Sequence, residues 1–518
     1  MRNLVVCCDG TWNTPDMKDG GIPAPTNVYK IWGAVADQTE KGKEQRRYYH
    51  TGVGTDGGYL SRIAGGTFGT GLSKNVKSAY KWLAEEYEPK DRIFLFGFSR
   101  GAFTVRSLAG MIARCGLVDL KKSAESPDEV WACVDAIFAK YRREAYDESV
   151  AAEAAYHNAK SVGDAPGKTA VHFLGVWDTV GALGVPDDQA LLNLVDDPRR
   201  YQFHDTELSA TVKTARHAVA IDERRQVFAP TLWSNCHQHD DAIEIWFPGV
   251  HADVGGGYAA TGLSDIALAW MIEEAEKAGL KLRDTAKQQI KGDPHGVLHD
   301  SLTGIFASDL SNIRPRAVPG FGANGQKANF HPAALARQEN PPLAQPDYWR
   351  TIQLAKKKSA ARDVFAGEKW NYSGIFVKKG EEYRLSATGQ WIDGLTVKCG
   401  PGGTSDGVFQ LGEIAHLLSS GIGKLETLIE KATGNGHANI KLTRREENLP
   451  WFSLVGAVAN GRGVDDNGHA RRHQIFLVGE GCTLLPEDDG YLYFFANDAW
   501  EKYENNRGSV KVVIERVK

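Results

Sequence analysis

The sequence predicts an α/β fold with a mostly parallel sheet, followed by an all-β sandwich near the carboxyl end. Two observations carry this prediction: apolar runs of strand length alternate with amphipathic helices up to residue 277, and short strands with turns recur from residue 372 onward. Apolar residues make up 42% of the 518 residues and charged residues 24%, which is typical of globular proteins. A chain of this length is expected to hold two or three domains.

The first part of the chain alternates strands and helices in a regular order. The predicted strands are 4–8, 46–51, 93–98, 170–177, 217–221 and 242–247. The predicted helices are 72–87, where apolar residues recur at spacings of three and four, then 100–114 and 263–277. Because the segment 93–98 is apolar throughout, it is typical of a parallel strand buried on both faces. This order predicts a sheet with helices on both of its faces.

A helical segment interrupts this alternation, and the second half of the chain has a different character. Residues 116–169 are predicted to form a helical insertion that covers the site. We assign residues 1–355 to one domain and residues 360–518 to a second, with a polar join between them. The second domain is predicted to be a β-sandwich with an inserted helix at about 408–433.

The motif with the clearest chemistry is Gly97-Phe98-Ser99-Arg100-Gly101, of the form G-x-S-x-G. It follows a buried strand and opens a helix, which is the setting of the nucleophile elbow in α/β-hydrolases. The turn is strained, and a side chain at either glycine would collide with the neighbouring strand and helix. The pattern therefore predicts an α/β-hydrolase with Ser99 as its nucleophile. The alternative is an ordinary strand–turn–helix unit with an idle serine.

A nucleophilic serine needs a base that is itself oriented by an acid, and in α/β-hydrolases the chain order is serine, acid, histidine. Asp178 closes the predicted strand 170–177, which is the expected place for the acid. A buried aspartate that caps a turn would look the same, and Asp222, at the end of another strand, is the second choice. His251 follows the last strand, between a Pro-Gly turn and three glycines, so we predict a loop histidine that serves as the base.

The oxyanion that forms on the substrate needs backbone donors. The N–H of Arg100 is predicted to be one donor, because it opens the helix after the nucleophile. Thr11 or Trp12, in the loop after the first strand, is the candidate for the second donor, and Asp9 is interpreted as orienting that loop. The glycine-rich stretch 52–71 lacks G-K-[ST], which argues against a nucleotide-binding loop.

The remaining histidines have simpler interpretations. His217 begins a strand and is interpreted as structural. His237 and His239 form an H-x-H pattern in a polar loop, and with His251 and Asp253 they could bind a metal ion, which is the less favoured interpretation.

Composition excludes several classes of function. The net charge of −4 gives no support to a nucleic-acid partner or to electrostatic capture by anionic membranes. Seven cysteines are scattered along the chain without zinc-type spacing, which suits folding under reducing conditions. No signal peptide and no stretch of about 18 apolar residues is present, so a transmembrane segment is not expected. We expect a protein that is cytoplasmic in the producing bacterium, with any export by a route that needs no signal peptide.

Several longer motifs resemble a known family. They are CCDGTWN at the start, GFSRGA, VWDTVGALG, HAVAIDERR and WFPGVHADVGGGY, with HDSLTG at 299–304 and RPR at 314–316 further on. Over about residues 1–310 the chain resembles the Tle1-like phospholipase effectors of bacterial type VI secretion. The resemblance implies Ser99, Asp178 and His251 as the triad, which agrees with the choice made from the residues. It also implies hydrolysis of glycerophospholipid acyl esters of the A1 or A2 type, with a secretion partner and an immunity protein encoded elsewhere.

The carboxyl-terminal part, about 365–518, resembles a second family. GYLYFFANDAWEKYENNRGSVKVVI at 490–514, FSLVGAVAN at 452–460 and GQWIDGLTVKCGPGG at 389–403 look like the small calcium-dependent galactose-binding lectins of the PA-IL type. The resemblance implies a calcium ion held by Asp498, Asn505 and Asn506, with backbone carbonyls from Lys502 and from near Trp391 to Asp393. The sugar-contacting histidine and glutamine of those lectins have no counterpart that aligns. The alternative is a sandwich that has lost its ligand and packs against the hydrolase or a partner.

Taken together, the sequence predicts a serine hydrolase that needs no cofactor for catalysis and cleaves phospholipid acyl esters. One alternative is an esterase acting on another acylated substrate, such as a polysaccharide, with the second domain as a carbohydrate anchor. A further alternative is a lectin-like binding protein on a hydrolase scaffold, which the complete set of triad candidates argues against.

Overall fold

A computed structural model describes most of the chain. The described residues are 1–10, 13–52, 68–145, 148–158, 169–181, 207–225, 228–302, 315–316, 330–339, 351–393, 397–404, 445–446, 448–460, 473–499 and 503–518. The predicted inserted helix at 408–433 lies outside them, as do Thr11, Trp12 and Lys502.

A six-stranded parallel sheet forms the amino-terminal half. Its strands are β1 (Asn3–Cys8), β4 (Gln45–His50), β5 (Arg92–Phe98), β6 (Val171–Trp177), β7 (Val212–Ala220) and β8 (Ala242–Phe247), and the small hairpin β2 (Lys18–Asp19) and β3 (Ile22–Pro23) lies apart. The order across the sheet is β4-β1-β5-β6-β7-β8, and every neighbouring pair is parallel. Strands β1 and β5 are almost entirely buried, as the apolar run at 93–98 predicts.

Helices cover both faces of this sheet. They are α1 (Asn27–Ala34), α2 (Phe68–Glu86), α3 (Arg100–Cys115), α4 (Leu120–Ser123), α5 (Pro127–Arg142), α6 (Glu148–Glu153), α7 (His251–Gly255), α8 (Gly262–Lys277), α9 (Asp284–Lys287) and α10 (Pro332–Glu339). Alternate side chains of β1 show the two-faced burial: Val6 packs with α2 and α3, whereas Val5 packs with α1 and α8. The predicted α/β fold class is therefore confirmed.

Two predicted elements differ from the structure in an informative way. Strand β7 begins at Val212, five residues before the predicted start, because Lys213 and Arg216 hide the strand pattern in the sequence. His251 does not lie in a loop but is the first residue of the short helix α7. The Asp253 carboxylate accepts a hydrogen bond from the Val250 N–H at 3.1 Å, which closes the first turn of that helix.

The segment between α3 and β6 carries the predicted helical insertion. Helices α4, α5 and α6 occupy it, and a proline at the first position of α5 follows the capping residue Ser126, whose side chain accepts from the Glu129 N–H. Apolar residues of α5, such as Val134 and Ile137, join the core on the α2 and α3 face of the sheet. The described part of the insertion is thus packed against the sheet on the side of α2 and α3.

The carboxyl-terminal half is an antiparallel sandwich. One sheet has the order β10-β16-β13-β14, and the other has the order β12-β11-β17-β9, with β15 paired to β11. The strands are β9 (Ser359–Phe365), β10 (Asn371–Val377), β11 (Tyr383–Asp393), β12 (Val397–Cys399), β13 (Leu454–Asn460), β14 (Gln474–Leu477), β15 (Gly481–Leu484), β16 (Gly490–Ala496) and β17 (Arg507–Arg516). Side chains from both sheets, including Trp391, Leu454 and Val512, form one core. The predicted sandwich is confirmed, although β9 was missed because its exposed face is polar.

A small aromatic cluster joins the two halves. Tyr491 of β16 packs with Val219 of β7, Trp246 of β8 and Phe330, and Tyr372 and Tyr493 lie around it. The sandwich therefore contacts the edge of the parallel sheet where β7 and β8 end.

Two further observations concern the described residues only. No helix among them combines the length and the apolar character that a membrane crossing needs. No disulfide bond joins the cysteines in this part of the chain.

Candidate active site

Ser99 sits at a strained turn between β5 and α3. Its backbone has φ 56° and ψ −123°, a conformation that residues with a side chain rarely adopt. The Ser99 N–H donates to the Trp177 carbonyl at 3.1 Å, which ties the turn to the end of β6. The strain is the geometry that the G-x-S-x-G pattern predicts for a nucleophile elbow.

Both glycines of the motif are required by close packing. A Cβ on Gly97 would lie 2.5 Å from the Gly101 carbonyl oxygen and 2.7 Å from the backbone of Ala102 in α3. A Cβ on Gly101 would collide with the Cys8 carbonyl and would lie 2.5 Å from the Asp9 carbonyl, at the end of β1. The neighbouring helix and strand therefore approach too closely for any other residue. This is the collision that the sequence predicts.

Asp178 and His251 meet in a short hydrogen bond. His251 Nδ1 donates to Asp178 Oδ2 at 2.5 Å, since a carboxylate can only accept here. Asp178 follows β6 directly and has a positive φ of 38°, while its Oδ1 accepts from the Ala220 N–H at 2.9 Å. Both side chains are buried. With Nδ1 bound to the acid, Nε2 of His251 is left as the basic nitrogen.

Two aromatic rings hold the imidazole in place. The ring centroid of Phe98 lies 4.5 Å from that of His251, and the ring of Phe228 lies 4.7 Å away in an edge contact. Because Phe98 immediately precedes Ser99 in β5, this contact brings the histidine beside the nucleophile elbow. The three residues chosen from the sequence thus gather at the carboxyl ends of β5, β6 and β8.

Arg316 binds both oxygens of the Asp178 carboxylate. Arg316 Nη1 donates to Asp178 Oδ1 at 2.6 Å, and Arg316 Nη2 donates to Asp178 Oδ2 at 2.9 Å. The same nitrogens donate to the carbonyls of Ala220 at 2.7 Å and Phe228 at 2.6 Å. The guanidinium is buried, so the pair is a desolvated bidentate ion pair.

These neighbours set the charge of the pair. Burial opposes ionisation of Asp178, but the Arg316 guanidinium and the hydrogen bond from His251 outweigh it and hold the pKa of Asp178 far below its usual range. Burial lowers the pKa of His251 below the ordinary value, although the Asp178 carboxylate works in the opposite direction. An ionised acid beside a neutral histidine is the resting state that base catalysis requires.

A second buried carboxylate holds the backbone of the histidine. Glu223 Oε2 accepts from the His251 N–H at 3.2 Å, and Ser301 Oγ donates to Glu223 Oε1 at 3.1 Å. Arg225 pairs with the same carboxylate through Nε and Nη2, at 2.9 and 2.8 Å, and stacks 3.7 Å from the Phe228 ring centroid. Burial opposes ionisation of Glu223, but Arg225 outweighs it and lowers the pKa of Glu223 to about 2.

The loop after β1 approaches the serine. A Cβ on Gly10 would lie 3.1 Å from the Cβ of Ser99, and the Gly10 N–H donates to the Asp9 carboxylate at 2.8 Å. Asp9 is buried and also accepts from Thr26 Oγ1 at 2.6 Å and from the Tyr49 hydroxyl at 2.8 Å. Asp9 therefore links Gly10, beside Ser99, to Thr26 and Tyr49. Arg100 is the first residue of α3, where N–H groups have no partner within the helix. The oxyanion role of Thr11 lies outside the described residues.

The alternatives left open by the sequence do not converge on the serine. Asp222 accepts from the Gly249 N–H at 2.6 Å through Oδ2 and makes no described contact with His251. His217 Nε2 accepts from the Thr179 N–H at 3.2 Å and Nδ1 donates to Glu244 Oε1 at 2.9 Å, so this histidine is structural. His239 precedes β8 whereas His251 follows it, so the two lie at opposite ends of that strand. Among the described residues no group of three His, Cys, Asp or Glu side chains could hold a metal.

A different polar centre is buried in the sandwich. Asn506 Nδ2 donates to Asp498 Oδ2 at 2.8 Å, and the Ala499 N–H donates to Asp498 Oδ1 at 2.7 Å. Asn506 Oδ1 is buried, and no donor among the described residues reaches it. Asn505 is exposed at the end of a short 3-10 helix. Ile392 pairs with Arg507, so the end of β11 lies beside the residue that follows Asn506.

Sequence reasoning missed Arg316, Glu223 and Ser301 as members of the site. Arg316 and Ser301 lie in a part of the chain without periodic structure, where no local pattern reveals a tertiary partner. The available signal was the family resemblance: HAVAIDERR contains Glu223, just beyond the end of β7, and the motifs HDSLTG and RPR contain Ser301 and Arg316.

The first half of the chain is similar to proteins of a known family. The family model described as the catalytic domain of the type VI secretion phospholipase effector, Tle1-like, matches residues 2–274. The uncharacterized protein YEL023C of Saccharomyces cerevisiae is 30% identical over 247 residues, which are 44% of this chain and 32% of that protein. The chain thus spans about a third of the length of this curated relative.

Two solved structures resemble parts of the chain. The Tle1 effector bound to the VgrG spike of the type VI secretion system is 19% identical, covers 50% of this chain and 52% of its own, and gives a TM-score of 0.29. The amino-terminal domain of EclA, a PllA-like lectin, is 16% identical, covers 30% of this chain and 94% of its own, and gives a TM-score of 0.19.

Proposed function

The chain belongs to the Tle1-like family of type VI secretion phospholipase effectors, and from this premise we propose that it is a serine hydrolase cleaving the acyl esters of glycerophospholipids. The observation that supports the proposal best is the Asp178–His251 hydrogen bond at 2.5 Å beside the strained turn of Ser99. A buried acid, a neutral histidine and an elbow serine at one edge of a parallel sheet make an arrangement suited to acyl transfer.

The proposed reaction proceeds through an acyl-enzyme. The Ser99 hydroxyl passes its proton to His251 Nε2 as Oγ attacks the ester carbonyl carbon, and Asp178 stabilises the imidazolium that forms. The Arg100 N–H and a donor from the loop after β1, Thr11 in the proposal, bind the oxyanion. Collapse breaks the ester bond, and the leaving alkoxide takes the proton from His251. Water then attacks the acyl group as His251 takes its proton, and His251 returns that proton to Ser99 Oγ as the fatty acid leaves.

The lipid substrate is supported by family membership, whereas the triad geometry serves any acyl ester. An ester on an acylated polysaccharide is therefore the alternative substrate, with the sandwich as its anchor. As an effector of this family the protein would be exported by the type VI machinery without a signal peptide, and its producer would need an immunity protein. We propose these partners on the family match alone.

Vesicle hydrolysis separates the two substrates. Purified full-length protein and Ser99→Ala are incubated with phosphatidylethanolamine and phosphatidylcholine vesicles, and fatty-acid release is measured. We expect release by the wild type and none by the variant. Lysolipid analysis then distinguishes A1 from A2 cleavage. Hydrolysis of para-nitrophenyl butyrate without lipid hydrolysis would retain the serine mechanism and reject the phospholipid substrate.

The sandwich supports a second function, calcium binding. We propose that Asp498, Asn505 and Asn506 hold the ion, with backbone oxygens from 391–393 and Lys502. The supporting observation is the buried Asn506 Oδ1, which lies beside the Asp498 carboxylate and has no described donor. An oxygen without a donor next to an anionic oxygen suits a hard cation that prefers oxygen ligands. Bound calcium would supply a site for sugar hydroxyls, and the carbohydrate would be galactose if the lectin resemblance extends that far.

A further inference from the structure

Arg316 is the one cation that contacts both oxygens of the proposed catalytic acid, among the residues that the structure describes. Its two terminal nitrogens satisfy Asp178 Oδ1 and Oδ2, at 2.6 and 2.9 Å, and also two backbone carbonyls. A serine hydrolase acid needs one oxygen for the histidine, and neutral donors can satisfy the other. A full positive charge at this position therefore requires an explanation beyond hydrogen bonding.

The carbonyls that Arg316 bridges belong to the walls of the site. Ala220 is the last residue of β7, and its N–H also donates to Asp178. The side chain of Phe228 contacts the His251 ring. The planar guanidinium of Arg316 thus links Asp178 to the end of β7 at Ala220 and to Phe228, the residue that packs on His251. A lysine could supply the charge here, but a single ammonium cannot make both pairs of contacts in this geometry.

We propose that Arg316 is a positioning residue that holds the Asp178 carboxylate ionised and aimed at His251, and that its charge extends hydrolysis to lower pH. The inference rests on the proposed serine mechanism, but not on the lipid substrate. It assigns a role to a residue that lies beyond the 2–274 segment matched by the family model.

The electrostatic part follows from the charges around the imidazole. Asp178 and Glu223 act on His251 with negative charge and Arg225 acts with positive charge, while Arg316 places its positive charge against the Asp178 carboxylate that binds the imidazole. Each cation makes a protonated imidazole less favourable, so the neutral base persists to lower pH. Removal of Arg316 leaves the two carboxylates less compensated, which favours the protonated imidazole and also raises the pKa of Asp178. Both changes move the acidic limb of activity toward higher pH.

The test compares Arg316→Gln, Arg316→Lys and a matched control, Arg337→Met. Arg337 is also a buried arginine, which donates to the carbonyls of Pro294 and Gly296 from α10, so its loss reports the general cost of removing such a side chain. The readouts are kcat/KM for para-nitrophenyl butyrate across pH and the rate at which a fluorophosphonate probe labels Ser99. Circular dichroism and thermal unfolding show whether each variant folds.

Arg316→Gln is expected to lower kcat/KM by about 10- to 100-fold and to move the midpoint of the acidic limb upward by about one pH unit or more. Arg316→Lys is expected to keep the limb near that of the wild type while kcat/KM remains about tenfold low, and it carries the test if the Gln variant does not fold. Arg337→Met should leave the limb in place.

Three results would overturn the inference. One is wild-type activity with a wild-type pH profile in both Arg316 variants. The second is a loss of activity in Arg316→Gln without any shift of the limb, since a merely structural role would act equally at every pH. The third is a wild type that is not labelled at Ser99, which would also reject the serine mechanism. Labelled wild type without lipid hydrolysis would reject the phospholipid substrate alone and leave the Arg316 comparison intact.

Discussion

Asp178, which follows β6 of the parallel sheet, and Asp498 in the sandwich are both almost fully buried, yet their partners differ in kind. Asp178 is met by a guanidinium, an imidazole and a backbone N–H, so its charge is compensated by the protein itself. Asp498 accepts from the Ala499 N–H and from Asn506 Nδ2, and the buried Oδ1 of Asn506 has no described donor. This contrast motivates the proposed calcium ion at Asp498, whereas at Asp178 the Arg316 guanidinium already compensates the carboxylate charge.

The largest effect should come from exchanging Asp178 for an amide, with the same exchange at Asp498 as the comparison. Asp178→Asn is expected to lower kcat/KM for para-nitrophenyl butyrate by about 10⁴-fold, because an amide orients the wrong imidazole tautomer and leaves Arg316 without its ion pair. Asp498→Asn should leave the same rate within about twofold of the wild type, because the described contacts of this carboxylate, with Ala499 and Asn506, lie within the sandwich. Equal losses in the two variants would mean that the comparison is wrong.

Calcium should raise the Tm of the sandwich and should leave the Tm of the domain that contains the parallel sheet unchanged. At a calcium concentration of about 100 times Kd, binding adds about 2.7 kcal/mol to the free energy of unfolding of the sandwich. This gain raises the Tm of a domain of this size by roughly 5–10 °C. Differential scanning calorimetry with calcium and with EGTA measures this shift. Asp498→Asn should abolish it, and Asp363→Asn, an exposed carboxylate of β9, should preserve it. A wild-type Tm that is identical in calcium and EGTA would contradict the proposed site.

The smallest effect is the pH dependence of the wild type. Because burial lowers the pKa of His251, the neutral base persists below the ordinary imidazole value, and the acidic limb of kcat/KM should have its midpoint below about pH 6.5. The pKa of Asp178 is depressed, so that carboxylate stays ionised throughout this range. Initial rates on the soluble ester in overlapping buffers give the midpoint. A midpoint above about pH 7 would show that the Asp178 charge outweighs burial.

The same comparison explains how far the sequence could predict the site. The turn of Ser99 was predictable because its glycines, strand and helix are adjacent in the chain and each has a local physical requirement. Asp178 and His251 were predictable because parallel strands bring their carboxyl ends to one edge of the sheet. Arg316 was not, since a bidentate contact with a residue 138 positions earlier leaves no periodic signal. Asn506 also has no local pattern of its own. Its proposed role in calcium binding was predictable only from the resemblance of the surrounding sequence to the lectins.

Covalent labelling identifies the nucleophile directly. Folded wild-type protein is treated with a fluorophosphonate probe, digested and mapped by mass spectrometry, with Asp178→Asn and Ser99→Ala in parallel. We predict a single adduct on Ser99, formed far more slowly in Asp178→Asn and absent in Ser99→Ala. An adduct on another residue, or labelling of Ser99 at the same rate after the loss of Asp178, would contradict it.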